Sequence, residues 1–153
     1  MRRIVATAID AAAFAPFGTL LKAPVGEVRA NFVAPVSNLR AGAKPNLVML
    51  RPPVAALPMQ VALMERHCFS TQTFFPFGGV QAILLVAPGG DAGPELDNAQ
   101  AFLVPGNVGL SYHVGVWHMG MATLAAGMMA MLVHEDGGAA DTEFRAIEGL
   151  EIG

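Results

Sequence analysis

Cysteine is nearly missing from this chain: Cys68 is alone among 153 residues. A single thiol excludes an internal disulfide and suits a reducing compartment. Charge is scarce as well. Only 14% of residues are charged against 54% hydrophobic, so either much of the chain is buried or apolar surface meets another subunit, and a homo-oligomer is expected. With nine basic residues scattered along the sequence and a net charge of -3, there is no basic stripe or binding signature for nucleic acid, which is excluded as a partner. Long apolar runs are missing too. The longest, Met121 to Val133, spans 13 residues and contains Gly127, short of the roughly 20 that a membrane helix needs. Arg2 and Arg3 precede apolar residues, but Asp10 interrupts them before a secretory region develops, so no membrane association and a cytoplasmic location are expected. Gly78-Gly79 and Gly89-Gly90 lack the lysine and following helix of a phosphate loop, and no Gly-x-Ser-x-Gly elbow occurs. Nucleotide hydrolysis and serine esterase chemistry are thereby excluded.

What is present is a succession of short apolar runs between turn residues, in a length that suits a single domain over residues 1–153. Arg3 to Ile9 reads as a strand, after which Asp10 caps a short helix over Ala11 to Phe14, and Thr19 to Leu21 returns as a strand. Lys22 to Pro45 is irregular, as a lid or a winding edge segment would be. Further strands are predicted over 47–50, 61–69, 72–75, 81–87, 99–104, 109–114, 121–124 and 128–134. Turns are predicted at 88–91, 105–107 and 136–138. This pattern indicates an all-β sandwich or barrel. Met119, Met121, Met128, Met129 and Met131 read as core or interface packing.

Chemically capable side chains fall in two clusters. In Met64-Glu65-Arg66-His67-Cys68, strand alternation projects Glu65 and His67 together and sends Arg66 and Cys68 to the other face. Cys68 is discounted as a nucleophile on that ground. The second cluster runs from Pro105 to His118. Strict alternation would put Tyr112 and His118 on one face and His113 on the other, but Gly115 can reset the parity, so the inward histidine stays open. A lone histidine on an apolar strand is ordinarily a hydrogen-bonded core residue, whereas several ionisable groups in one barrel need one another. His134, beside Glu135 and Asp136, reads as part of a solvated turn.

Taken together, Glu65-x-His67-x4-Gln72 and Gly115-x-x-His118 resemble the cupin pattern, with two ligands changed. Glu65, His67, Gln72 and His118 could hold a divalent ion such as Mn, Fe, Ni or Zn, with affinity lowered by the neutral Gln72.

A more specific resemblance rests on Glu65-Arg66-His67, Thr71-Gln72-x-Phe74-x-Pro76, Ala101-Phe102, and Gly109-x-x-Tyr112-His113-x-x-Val116-Trp117-His118. This combination resembles the ureidoglycolate lyase family over about residues 46 to 134. Met119 and Gly120 stand where that family usually has a histidine and a proline, and Asn31 to Leu47 matches it less well than the rest. The resemblance implies an all-β, cupin-like β-barrel with short peripheral helices, a homodimer, and cleavage of ureidoglycolate to glyoxylate and urea in the allantoin branch of purine breakdown. Such an enzyme is a carbon–nitrogen lyase of the amidine-lyase type. The reaction needs one base and one acid: His118 or Glu65 as base on the hydroxyl, and His67 or Tyr112 as donor to the leaving nitrogen. Gln72 and His113 would contact the substrate, and Arg66 or Arg51 would fork its carboxylate if a loop brings either inward. The alternatives are a cupin-like lyase or hydrolase acting on another small hydroxy or keto acid, and a non-catalytic small-acid-binding cupin.

Overall fold

Short apolar runs punctuated by glycine and proline become short strands, and the computed structural model describes residues 1–135 and 140–153. The N-terminal third holds β1 (Arg2–Ile4), β2 (Thr7–Ala8), α1 (Ala11–Phe14), β3 (Gly18–Leu21) and β4 (Lys44–Leu50). Next come β5 (Met59–His67), β6 (Gln72–Phe77), β7 (Gly79–Ala87) and the small hairpin β8 (Gly89–Gly90) and β9 (Gly93–Pro94). The rest comprises a short 3-10 turn (Leu96–Asn98), β10 (Gln100–Gly106), β11 (Gly109–Tyr112), β12 (Trp117–His118), β13 (Ala122–Thr123), β14 (Met128–Glu135) and β15 (Thr142–Ile152). The turn expected at 136–138 lies outside the described residues.

One eight-stranded sheet has the order β1-β15-β5-β12-β7-β10-β2, with β13 also pairing β7, and a five-stranded sheet has the order β3-β11-β6-β14-β4. Strand β7 explains how they fit together. Its residues from Ala82 to Ala87 are all buried, and alternate ones enter different cores. Ala82, Leu84 and Val86 join Phe14, Phe102, Phe74, Leu110, Tyr112 and Met129 in an inner core supplied by both sheets. Ile83, Leu85 and Ala87 join Met64, Trp117, Leu150 and Ile152 in an outer layer. The result is an all-β, cupin-like barrel, as expected, with Tyr112 in its interior.

The sequence expectations for the opening hold at α1. The Asp10 carboxylate accepts the N–H groups of Ala12 at 2.9 Å and Ala13 at 3.1 Å. These donors favour the charged form and hold its pKa below the ordinary carboxylate value. Phe14 then drops into the inner core, edge-on to Phe102 at 5.9 Å between ring centroids. Gly18 makes this possible, because a Cβ there would lie 2.2 Å from the Ser111 carbonyl oxygen and 2.8 Å from the Phe14 ring. The strand predicted over Arg3 to Ile9 is instead split: β1 pairs in parallel with β15, and β2 with β10. Residues 22–43 contain no strand, and their later part is tied to the start of β6: Leu39 N–H donates to Phe69 O at 2.7 Å and Thr71 N–H to Ser37 O at 3.0 Å.

The longest described strand, β15, lies outside the predicted runs. Glu143, Arg145, Glu148 and Glu151 obscure its period, and a bulge between Ala146 and Leu150 shifts its register against β5. Only Ile147, Leu150 and Ile152 along it are buried. Of the methionines, Met119, Met121 and Met129 fill cores as expected, whereas Met128 is exposed. Among the described residues, no helix is long and apolar enough to cross a membrane.

Candidate active site

Strand β5 sends Glu65 and His67 to one face, and β12 lays His118 directly opposite Glu65 in antiparallel register. His118 Nε2 stands 3.4 Å from Glu65 Oε1. The His67 and His118 rings lie nearly parallel, 5.8 Å apart, and one ligand-capable atom from each of Glu65, His67 and His118 falls within 4.8 Å of the others. Tyr112, at the end of β11, stacks on His118 at 4.2 Å between centroids.

Gly115 resolves the parity that the sequence leaves open. It has a φ of +81°, in the left-handed region that favours glycine, and its N–H donates to His67 O at 2.7 Å. After this turn Trp117 enters the outer layer and His118 the barrel, where it meets Tyr112. His113 is exposed, with Nε2 3.1 Å from Ala15 O.

The proton on His118 follows from its neighbour. Nδ1 lies 2.9 Å from the Val116 carbonyl oxygen, which only accepts, so Nδ1 carries a hydrogen. When the ring is neutral, this leaves a bare Nε2 lone pair aimed at the Glu65 carboxylate. Two lone pairs in this arrangement attract only through an intervening proton or cation. Burial leaves several polar atoms without hydrogen-bond partners: His67 Nε2, His118 Nε2, Gln72 Oε1 and Tyr112 Oη. Such atoms are costly inside a protein unless something binds them.

The charge states fit a site of opposed functions. With Nδ1–H engaged by Val116 O, a proton added to His118 lies on Nε2 toward Glu65. In that protonated form His118 holds the Glu65 carboxyl below its ordinary pKa, against the opposing effect of burial. Burial, followed by the neighbouring His118, pushes the His67 imidazole down. Burial, with a smaller contribution from Glu65, drives the Tyr112 phenol well above its ordinary value. The set thus combines an ionised carboxylate, a neutral imidazole and a phenol that keeps its proton. Those groups suit either general acid–base chemistry or ligation of a divalent cation.

A cavity of about 370 Å³ is lined by His67, Gln72, Met131, Val133, His134, Glu135, Asp141 and Thr142. Gln72 reaches it from the start of β6; its Nε2 donates to Met131 Sδ at 3.2 Å, leaving Oε1 unpartnered. His134 is half-buried on β14 with Nδ1 unpartnered, unlike the solvated turn expected for it. A larger cleft of about 540 Å³ beside Arg2, Glu95, Asp97 and Glu148 contains none of the site groups.

The candidate carboxylate-binding arginines lie elsewhere. Arg66 occupies the opposite face of β5, donating to Glu143 at 2.9 Å and Asp91 at 2.8 Å, with its guanidinium carbon 5.0 Å from the Trp117 ring centroid. Arg51 is exposed just beyond β4. Cys68 lines a separate cleft with Arg66. Sequence reasoning also missed Asp141 and Arg40. Asp141 Oδ2 lies 3.5 Å from His67 Nδ1, and Arg40 Nη2 lies 3.4 Å from the same oxygen. No periodicity singles out either residue; Arg40 lies in the irregular segment and Asp141 immediately before β15.

Comparison with known proteins matches this chain over residues 1–150 to the family model described as Ureidoglycolate lyase. Proteins named ureidoglycolate lyase from Pseudomonas savastanoi pv. phaseolicola (strain 1448A / Race 6) and Pseudomonas syringae pv. tomato (strain ATCC BAA-871 / DC3000) are each 30% identical to it. Both alignments cover 133 residues, 81% of this chain and 78% of the relative. A protein of the same name from Pseudomonas entomophila (strain L48) is also 30% identical, over 81% of this chain and 79% of its own. The match includes the irregular N-terminal segment as well as both site clusters, and the chain belongs to the ureidoglycolate lyase family.

Proposed function

We propose that this protein cleaves ureidoglycolate to glyoxylate and urea, as a carbon–nitrogen lyase of the amidine-lyase type. The observation that carries this reading is the registered Glu65–His118 pair, with His67 and Tyr112 beside it, inside the barrel of a member of this family.

Ureidoglycolate has one carbon bearing a carboxylate, a hydroxyl and a urea nitrogen. As the carbon–nitrogen bond breaks, the hydroxyl proton leaves, its oxygen becomes the carbonyl of glyoxylate, and the departing nitrogen gains a proton. The Glu65 carboxylate or the bare His118 Nε2 takes the hydroxyl proton, and each can pass it to the other across their 3.4 Å separation. The same pair delivers that proton to the leaving nitrogen, while Tyr112, whose phenol is held protonated by burial, donates a hydrogen bond to that nitrogen as it departs. Depressed basicity makes His67 better suited to accepting a hydrogen bond or a metal than to giving a proton. Gln72 orients the substrate through its unpartnered Oε1.

The chain's residues also fit a divalent cation, since bare imidazole nitrogens and an ionised carboxylate gather within 4.8 Å. Glu65, His67 and His118 would hold a Mn, Fe, Ni or Zn ion, with Gln72 as a weaker fourth donor. When bound, the ion supplies Lewis acidity toward the substrate's hydroxyl and carboxylate oxygens.

The wider reading is one domain, acting as a cytoplasmic homodimer in allantoin and purine degradation. Exposed Leu47, Met49, Phe75, Phe77 and Met128 on strands of the five-stranded sheet support a subunit contact. The lone Cys68 accords with a reducing compartment. Incubating purified protein with ureidoglycolate tests the central assignment: glyoxylate and urea are expected in equal amounts. Failure to release either would refute it.

A further inference from the structure

We propose that Asp141 is a positioning residue for His67, fixing the tautomer that carries hydrogen on Nδ1 and leaves Nε2 bare for the active-site cluster. This inference deepens the reading of Glu65, His67 and His118 as the reactive centre, and it stands on the surroundings of one buried carboxylate.

Asp141 is only 5% exposed. An ionised carboxylate at such depth requires donors around it, and the fold provides them from three directions. Phe69 N–H donates to Oδ1 at 2.6 Å, and the Ser70 hydroxyl donates to Oδ2. The Arg40 guanidinium approaches Oδ2 at 3.4 Å. The backbone is anchored as well, since Cys68 N–H donates to Asp141 O at 2.7 Å. Asp141 therefore presents its charge from a fixed position.

His67 Nδ1 faces that charge, 3.5 Å from Oδ2. The distance is long for a hydrogen bond, so the contact orients chiefly through charge. A carboxylate has only lone pairs to offer, which makes a hydrogen on Nδ1 favourable and a lone pair there unfavourable. Thr142 Oγ1, 3.4 Å from the same nitrogen, can donate or accept and is compatible with that choice. Strand register supports the arrangement, because Thr142 pairs directly with His67. Nε2 is then the free nitrogen, and it is buried without a hydrogen-bond partner. The imidazole thus has an anion behind its protonated nitrogen and the reactive cluster available to its bare one, the relationship by which an outer carboxylate orients a basic or metal-binding histidine.

Nitrogen-15 NMR of histidine-labelled protein, above the ordinary imidazole titration range, reads this directly. Wild-type His67 is expected to be protonated on Nδ1 and bare on Nε2. Asp141→Asn keeps Oδ1 on the Phe69 N–H and places an amide hydrogen toward His67, so the ring proton should move to Nε2. In that variant kcat for ureidoglycolate should fall about 10–100-fold, with KM changed much less. Ser70→Ala removes one donor to Asp141 but retains its charge, and should keep the wild-type tautomer. Wild-type His67 protonated on Nε2 would overturn the proposal even if Asp141→Asn failed to fold. An unchanged tautomer in a folded Asp141→Asn protein would overturn it as well. If wild-type protein released no glyoxylate yet showed the predicted tautomers, the reaction assignment would fail while the positioning role stood.

Discussion

His118 and Glu65 face one another as a directly registered pair of β12 and β5, with Nε2 3.4 Å from Oε1. Because the Val116 carbonyl fixes hydrogen on His118 Nδ1, this pair is arranged to share a proton or a cation. Glu65→Gln keeps the shape and removes the charge. Both Glu65→Gln and His118→Ala are expected to lower kcat by about 100-fold or more, within the usual range for losing an acid–base group. Glyoxylate release under saturating substrate checks this, and turnover like wild type in both variants would remove the pair from the chemistry.

Tyr112→Phe should separate activity from stability. The phenolic oxygen is buried and has no hydrogen-bond partner, so its deletion relieves an unmet polar group and should leave thermal stability unchanged or raised. The ring's stacking on His118 and contacts with Phe14 and Phe74 remain available to phenylalanine. Loss of the leaving-group donor should still reduce kcat about 100-fold or more. A fall in melting temperature with unaltered kcat would show a structural hydroxyl instead.

If Glu65, His67 and His118 work as a metal site, chelation should abolish activity and one of Mn, Fe, Ni or Zn should restore it. The same ion should raise the melting temperature of the wild-type protein by binding the folded state, with a much smaller effect on Glu65→Gln. Calorimetry and glyoxylate assays on the chelated protein provide independent readings. Full activity after verified removal of metal would favour the proton-transfer version carried by side chains alone.

Asp10 offers a prediction away from the site. Its folded-state pKa lies below the ordinary 3.8 because the N–H groups of Ala13 and Ala12 bind its charged form. A depressed folded pKa means that the unfolded chain takes up the proton more readily. The capping contribution is therefore present above the unfolded value and is lost as pH falls through the folded one. Asp10→Ala should melt below wild type near neutrality, and the difference should shrink in acid. A difference independent of pH would argue against the charged cap.

The parts legible in sequence were those governed by local rules. Asp10 at the head of Ala11–Phe14, the apolar run of β7, and the shared face of Glu65 and His67 each follow from a cap, a composition or a period of two. Strand β15 was not legible because its stabilising partners are distant in sequence and its exposed face carries charge. The contact of Asp141 with His67 spans a similar separation, so only the closed barrel reveals it. Arg66 illustrates the converse: alternation predicts its opposite orientation, while its pairing with Asp91 and Glu143 and its place over Trp117 require the tertiary fold.

The turn at Gly115 has an implication for which length changes this protein can tolerate. Trp117 and His118 are sequence neighbours serving opposite sides of one sheet, the indole outside and the imidazole within. Removing or adding a single residue between Tyr112 and Trp117 would tend to exchange them, delivering a bulky indole to the reactive chamber and a polar ring to the apolar layer. The spacing of this segment is therefore as much an inherited constraint as its chemistry, and relatives with a working site should vary here in side chains before they vary in length.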